Sequence, residues 1–245
     1  MQQSSPCQYL EWDSNFFNRR IGQLTIKRLD QDRLEEVKTW CQVHAIDCLY
    51  FLTDFNEANT IHLVETNGFR LVDLRMTFEK PLQEAIQARN GPLPDRIIRL
   101  STQEDIPFLK AIARVSHHDS RFYYDAHFPN ARCDVLYETW IEKSCQGYAE
   151  AVMVAEVQGQ PVGYVSCHLL AEEIGKIGLV GVNQDAQGRG LGKSMITASL
   201  SWFHEHGVRL VRIVTQGRNI PAQRLYQKCG FLTSSVHLFY HKWYV

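Results

Sequence analysis

The sequence predicts an α/β fold, an α+β arrangement with a mixed sheet, carried in full by the C-terminal part of the chain and in partial form by the N-terminal part. Three observations predict it. Short apolar runs suited to strands alternate with segments of helical period. A glycine-bearing stretch, "NQDAQGRGLGKSM" from Asn183 to Met195, stands between such a run and such a helix. The chain also repeats itself: "NGFRLVDLRMTFEK" from Asn67 sets Gly68-Phe69, Leu74, Met76 and Phe78 on Gly230-Phe231, Val236, Leu238 and Tyr240 of "CGFLTSSVHLFYHK". The same offset, carried upstream without a gap, lays "IDCLYFLTD" on "VRLVRIVTQ" and Trp40 on Trp202. One repeat thus covers helix, strand, helix and strand.

Taken in order, a mixed α/β region leads to "EAIQARNGPLPDR", Glu84 to Arg96, whose Gly91, Pro92 and Pro94 mark a linker. The expected organisation is a partial copy over 1–88, a linker over 89–95 and the full copy over 96–245. Strand "RIIRL" is followed by Ser101 and Thr102 with acids three residues on, a capping signal. A helix over about Ile106 to Val115 comes next. The polar-aromatic "SHHDSRFYYDAHFPNARC" is irregular, and "DVLYETWIEKS" is helical. Strands "EAVMVAEV" and "VGYVSCHLL" are joined by Gln158-Gly159-Gln160-Pro161, a hairpin signal. Strand "KIGLVGV" runs into the glycine stretch. Helix "KSMITASLSWFHEH" sets Met195, Ile196, Leu200 and Phe203 on one face and stops at Gly207. Strand "RLVRIVTQ", short helix "IPAQRLYQKC" and the alternating strand "SSVHLFYHKWY" complete the chain.

Bulk properties exclude several classes. The 245 residues are 44% apolar, enough for an ordinary core. A net charge of −1 gives no basic surface for nucleic acid. The N-terminal "MQQSSPCQYLEWDSNFFN" has no basic region followed by an apolar run, so no signal peptide is expected, and no apolar stretch is long enough to span a membrane. The seven cysteines are scattered, and none forms a Cys-x-x-Cys pair, which fits reduced thiols in a cytoplasm.

The glycine stretch points to an anion, and its spacing decides which. Gly192-Lys193-Ser194 could end a P-loop, but that loop needs a small residue where Gln187 stands. The dinucleotide pattern fails because the third glycine comes one residue early. What fits is Gln187-x-x-Gly190-x-Gly192 between strand and helix, the Gln/Arg-x-x-Gly-x-Gly/Ala signature of the GCN5-related N-acetyltransferases. The chain from about Arg96 onward resembles that family, GNAT for short, and "NIPAQRLYQKCGF" is similar to its later Asn-x-x-Ala-x-x-x-Tyr-x-x-x-Gly-Phe segment. The resemblance implies a GNAT fold and acetyl-CoA as co-substrate, with no metal. The pyrophosphate would meet backbone N–H groups of Gln187, Gly188, Arg189, Gly190, Leu191, Gly192 and Lys193 at a helix N-terminus, where the dipole also favours anions. Arg189 and Lys193 would add charge at the rim. The pantetheine arm would lie like an added strand against Val180, Gly181 and Val182.

Acetyl transfer to an amine needs a neutral amine, a stabilised carbonyl oxygen and a proton for the leaving thiolate. The N–H of Val180 or Val182 can polarise the carbonyl. By family position Tyr226 is the acid and Asn219 contacts the pantetheine. From pattern alone Tyr226 reads as core, in a stripe with Ala222, Leu225 and Cys229. In the N-terminal copy Val64 holds the Tyr226 position and Glu57 the Asn219 position, so that copy is expected to be a scaffold. The base stays open among His117, His118, Asp119, His168, Glu172, Glu173 and water. Cys229 is expected to be a small buried residue. His204 and His206, two apart on a helix, do not share a face for a metal.

The two-part layout, with "YLEWDSNFFNRRIGQL", "SRFYYDAHFP" and "LYETWIEKS", resembles the members of the family that acetylate nucleotide-linked amino sugars. That implies such a sugar, of dTDP-4-amino-4,6-dideoxyhexose type, as small-molecule partner, with Arg121, Phe122 and Tyr123 as candidate contacts. A surface polysaccharide would be the product's destination, and a homodimer is the candidate assembly. The alternatives are an acetyltransferase for another small amine or a peptide N-terminus, and a non-catalytic acyl-CoA-binding module. A polyamine enzyme would want an acidic groove, and no acidic cluster is evident in the sequence.

Overall fold

The computed structural model describes residues 5–82, 96–171 and 173–244. The linker expected over 89–95 and the candidate base Glu172 therefore lie outside the described residues. In chain order the elements are β1 (Cys7–Tyr9), α1 (Glu11–Phe17), β2 (Ile21–Leu24), α2 (Gln31–Val43), β3 (Cys48–Asp54), α3 (Ala58–Thr66) and β4 (Arg70–Pro81). There follow β5 (Arg96–Leu100), α4 (Ile106–Ser116), α5 (Arg121–Tyr124), α6 (Asn130–Lys143), β6 (Ala151–Val157), β7 (Gln160–Leu169), β8 (Ile174–Val182), α7 (Leu191–Glu205), β9 (Leu210–Gln216), α8 (Ile220–Lys228) and β10 (Leu232–Trp243). This is the mixed α/β class the sequence predicts. No helix among the described residues is long and apolar enough to cross a membrane.

Local chemistry sets most boundaries. Thr102 and Asp105 form a capping box ahead of α4. Gln158 and Gly159, at φ 50° and 76°, make the left-handed turn that joins β6 to β7. Gly207, at φ 77°, follows α7 as expected. Two details differ from expectation. The irregular stretch after α4 contains the short helix α5, and α6 begins at Asn130 because Pro129 sets its entry. A π-turn over Ser144–Tyr148, with Gly147 at φ 101°, leads from α6 towards β6.

The chain forms two compact units. The first comprises Met1–Met76, Gln216–Arg218 and Val236–Val245. Its strand order is β1-β2-β3-β10, with β2 and β3 parallel and β10 antiparallel to β3 from His237↔Asp54 to Trp243↔Cys48. Leu34, Val37 and Cys41 of α2 close its core with Leu49, Phe51, Val64, Phe69 and Tyr240. Each fully buried Leu, Val or Phe contributes about 1.5–3 kcal/mol.

The second unit comprises Thr77–Thr215 and Asn219–Ser235. Its strand order is β4-β9-β8-β7-β6-β5, and β8–β9 is a parallel pair. The expected face of α7 is buried: Met195, Ile196 and Phe203 are fully enclosed. Glycines make room for it. A Cβ on Gly163 would lie 2.9 Å from Met195 Cε, and one on Gly175 2.6 Å from the Phe203 ring. Tyr164 follows Gly163 and so faces the other side of the sheet, where its hydroxyl meets His117 Nε2 at the end of α4.

The repeat holds in local geometry. Trp40 stacks on His44 at 4.2 Å and Trp202 lies on His206 at 4.1 Å. In both copies His Nδ1 meets the tryptophan carbonyl at 2.8 Å. Gly68 and Gly230 sit at φ 79° and 84°. Phe69 N donates to Val64 O at 3.1 Å, and Phe231 N to Tyr226 O at 3.0 Å. The paired strands β4 and β10 are exchanged. Thr77–Pro81 of the first copy's strand belongs to the second unit, beside β9, and Val236–Trp243 of the second copy's strand belongs to the first unit, beside β3.

Candidate active site

The site is built where β8 and β9 part. Their parallel register runs from Ile174↔Leu210 to Ile177↔Ile213 and goes no further, while β8 continues to Val182. On the other edge of β8 the register with β7 slips between Val165 and Cys167. Ser166 Oγ fills that irregularity by accepting from Leu179 N at 2.8 Å. Asn183 N donates to Val162 O at 2.8 Å, also towards β7. Alternation along the strand then turns the N–H groups of Val180 and Val182 to the opposite edge, into the gap beyond Ile177. Gly181 has its own reason to be glycine: a Cβ would meet the Tyr164 ring at 2.7 Å.

At the end of β8 the loop turns on Gly188 and Gly190, at φ 77° and 80°. Gln187 Nε2 donates to Val182 O at 3.2 Å and ties the loop to the strand. Arg96 Nη1 donates to Arg189 O at 2.6 Å and supports it from β5. Gly190 is the N-cap of α7, and no side chain caps that helix. Its first-turn N–H groups, from Leu191, Gly192 and Lys193, thus end in an uncapped helix N-terminus flanked by the exposed Arg189 and Lys193. Gly192 lets α8 approach, since a Cβ there would lie 3.0 Å from Leu225 Cδ2. The glycine loop thus leaves a row of N–H groups open to an anion, and the outward N–H groups of Val180 and Val182 are open to an extended chain.

Asn219 caps α8, with Oδ1 accepting from Ala222 N at 3.0 Å. Its side-chain N–H groups remain as donors. Tyr226, one helical turn further, is 4% exposed and edge-on to Phe78 at 5.9 Å. Burial, and then Cys229, push its phenol above the ordinary value. No hydrogen bond holds its hydroxyl among the described residues. Cys229 is buried, and burial raises its thiol too, so it stays protonated.

The acceptor candidates lie across the sheet from α7. Arg121 places its guanidinium 3.9 Å over the Phe122 ring. Phe122 is 3% exposed and also packs on Phe128 and Trp140, 5.4 and 6.1 Å away. Tyr123 donates to Asp134 Oδ1 at 2.7 Å and stacks with Tyr137 at 6.2 Å. His117 lies flat on Tyr137 at 4.3 Å, and burial drives its imidazole down to about 4. Sequence reasoning missed Ser166 and Arg96. Gly178 and Gly181 inside a strand were the available signal for a bulge and a close approach.

The first unit repeats the helices without the cradle. Asp30 caps α2 by accepting from Arg33 N at 2.9 Å, so a carboxylate already occupies that helix start. Val64 stands in the place of Tyr226 and is fully buried, and Glu57 is paired with Arg28 at 2.8 Å. Calorimetric titration with acetyl-CoA is therefore expected to give one site per chain. Two equivalent sites would overturn the assignment of the first copy as scaffold.

Residues 112–231 match the acetyltransferase (GNAT) family. Over 229 residues, 90% of this chain and 91% of the other, the chain is 26% identical to the dTDP-fucosamine acetyltransferase of Escherichia coli O6:H1. It is 25% identical over 132 residues to the spore coat polysaccharide biosynthesis protein SpsD of Bacillus subtilis, covering 54% of this chain and 45% of that one. A GCN5-related N-acetyltransferase from Sphaerobacter thermophilus shares the fold, with a TM-score of 0.68 at 15% identity over 97% of this chain and 76% of that one.

Proposed function

Residues 112–231 carry a GNAT acetyltransferase domain, this chain is an acetyl-CoA-dependent N-acetyltransferase, and from that premise we propose that its acceptor is the amino group of a nucleotide-linked amino sugar, of dTDP-4-amino-4,6-dideoxyhexose type. The observation that carries this is the similarity to a sugar-nucleotide acetyltransferase along nine-tenths of the chain, far beyond the family domain itself. The experiment is a panel of dTDP- and UDP-linked amino sugars, free polyamines and peptide amines, incubated with acetyl-CoA while thiol release is followed. Faster acetylation of spermidine or a peptide amine than of every sugar nucleotide would overturn it.

Acetyl-CoA supplies an acetyl group activated as a thioester. The protein's part is to hold and polarise. The α7 N-terminus, Gly188, Gly190 and Lys193 hold the phosphates, and Asn219 and the free edge of β8 align the arm. The N–H of Val180 or Val182 steadies negative charge as it grows on the carbonyl oxygen, without reorganising at the moment of reaction. Tyr226, kept protonated by burial, donates to the departing sulfur. The scaffold role of the first copy belongs to the same proposal, as do the boundaries 1–88 and 96–245 in sequence.

Arg121 is the proposed contact to the acceptor's phosphates. Phe122 lies against its guanidinium, and a guanidinium binds phosphate oxygens through charge-assisted hydrogen bonds. Arg121→Ala is expected to raise KM for the acceptor about tenfold, one charged hydrogen bond's worth, and to leave KM for acetyl-CoA near its starting value. Equal rises in both would remove Arg121 from the acceptor site.

A further inference from the structure

We propose that His168 is the general base that takes the proton from the attacking amine. The proposal rests on the acetyl-transfer reading above and adds the residue that reading leaves open.

The placement comes first. Tyr164, Ser166 and His168 alternate along β7 onto the face away from α7. The imidazole of His168 lies over β8 at Gly178. A Cβ there would be 2.7 Å from His168 Nε2 and 2.6 Å from Ser166 Oγ. Only glycine leaves the ring that position. Gly178 is also the first residue of β8 beyond the last β8–β9 pair, Ile177↔Ile213. The next N–H that turns into the gap belongs to Val180. His168 Nε2 therefore stands at the mouth of the gap, beside the backbone that would hold the acetyl carbonyl.

The Tyr148 backbone lies beside the ring and favours its charged form. A proton on Nδ1 leaves the lone pair on Nε2, the nitrogen that lies over Gly178. Ser166 Oγ lies 3.4 Å from Nε2. The exposed Tyr148 ring stands edge-on to the imidazole at 5.6 Å. The charged groups that face it are Lys176, its register partner on β8, and Glu150, which also accepts from Leu169 N at 2.9 Å. Burial first, and then Lys176, lower the imidazole from its ordinary value, against Glu150 and the Tyr148 backbone. The ring is thus neutral and able to accept at neutral pH.

Three of the other candidates have contacts elsewhere, and Glu172 lies outside the described residues. His117 Nε2 is bonded to the Tyr164 hydroxyl at 2.9 Å. His118 stands edge-on to Tyr123 at 4.6 Å. Glu173 pairs with Arg209 at 2.9 Å. In the step itself, the amine nitrogen bonds to the acetyl carbon and the C–S bond breaks, its electron pair staying on sulfur. One amine proton passes to His168 Nε2, and the sulfur takes the Tyr226 proton. Solvent then removes the proton from His168 and reprotonates Tyr226.

The test has a kinetic arm and a ligand-free arm. His168→Gln keeps a polar side chain but removes the base. At pH 7 it should lower kcat about 100-fold, and the deficit should shrink as pH rises towards 9, where the amine loses its proton unaided. In the wild-type protein without ligand, histidine NMR should show His168 titrating below about 6.5 with the proton on Nδ1, and Gly178→Ala should shift that resonance. A pH-independent loss in His168→Gln, an unchanged kcat, or a His168 resonance indifferent to Gly178→Ala would each overturn the proposal. Failure of the acetyl-transfer reading would show differently: no amine would release thiol with the wild-type protein.

Discussion

Tyr226→Phe is expected to lower kcat by about 10²–10⁴-fold, the usual worth of a positioned acid, with acetyl-CoA affinity and melting temperature unchanged. The two halves of that result have separate causes. The phenol is buried and raised above its ordinary value, so at neutral pH it always holds a proton to give. The ring does the packing: it stands edge-on to Phe78 at 5.9 Å and near Phe231 at 6.3 Å. Phenylalanine keeps both contacts. A buried hydroxyl in a structural hydrogen bond would cost about 1 kcal/mol to remove, but this one has no such bond among the described residues. Pre-steady-state thiol release and thermal unfolding on the same preparation read both quantities. Full activity with lowered stability would make Tyr226 a core residue and nothing more.

Gly190→Val is expected to weaken acetyl-CoA binding about 100-fold or more, the loss of two charge-assisted hydrogen bonds at about 1.5 kcal/mol each. At φ 80° and ψ 4° the backbone is left-handed, and a β-branched residue there is strained by about 1–2 kcal/mol. Crowding is not the obstacle, because the nearest group to a Cβ would be Arg96 Nη1 at 3.9 Å. The valine would occupy the open space in front of the α7 N-terminus, or turn the loop's N–H groups out of it. Gly207 supplies the control. It has φ 77° and nothing within 4 Å of a Cβ, but it lies at the other end of α7. Gly207→Val should cost similar stability and leave affinity intact. Equal affinity in both variants would mean that the loop cradles no anion.

Much of this was legible in the sequence where the cause is local. The hairpin at Gln158-Gly159, the box at Thr102 and Asp105, the stop at Gly207 and the buried face of α7 each depend on a few neighbouring residues. The glycine turn ahead of α7 was legible because a positive φ and an uncapped helix start leave a mark in residue type. What stayed hidden was non-local. Ser166 reaches Leu179 across a bulge, and Arg96 reaches the loop from a strand far upstream. Position in the chain gives no sign of either. Phe122 illustrates the opposite problem. Its neighbours Arg121 and Tyr123 suggest a binding run, yet the ring is packed between Phe128, Trp140 and the Arg121 guanidinium. Aromatic residues in a helix connection carry the same letters in either role.

The exchange of β4 and β10 has a consequence for how the molecule comes into being. Among the described residues, the inner edge of β3 is paired by His237–Trp243, so the first unit waits for synthesis to reach Trp243, although most of its residues have emerged long before. Until then β3 presents a row of unpaired backbone groups, open to pairing with another nascent chain. Closing that sheet joins segments far apart in sequence, which makes it a slow, late event. The reverse also holds: Thr77–Pro81 is made early and waits for β9. Neither copy can be cut away as an independent piece, because each unit takes a strand from the other copy.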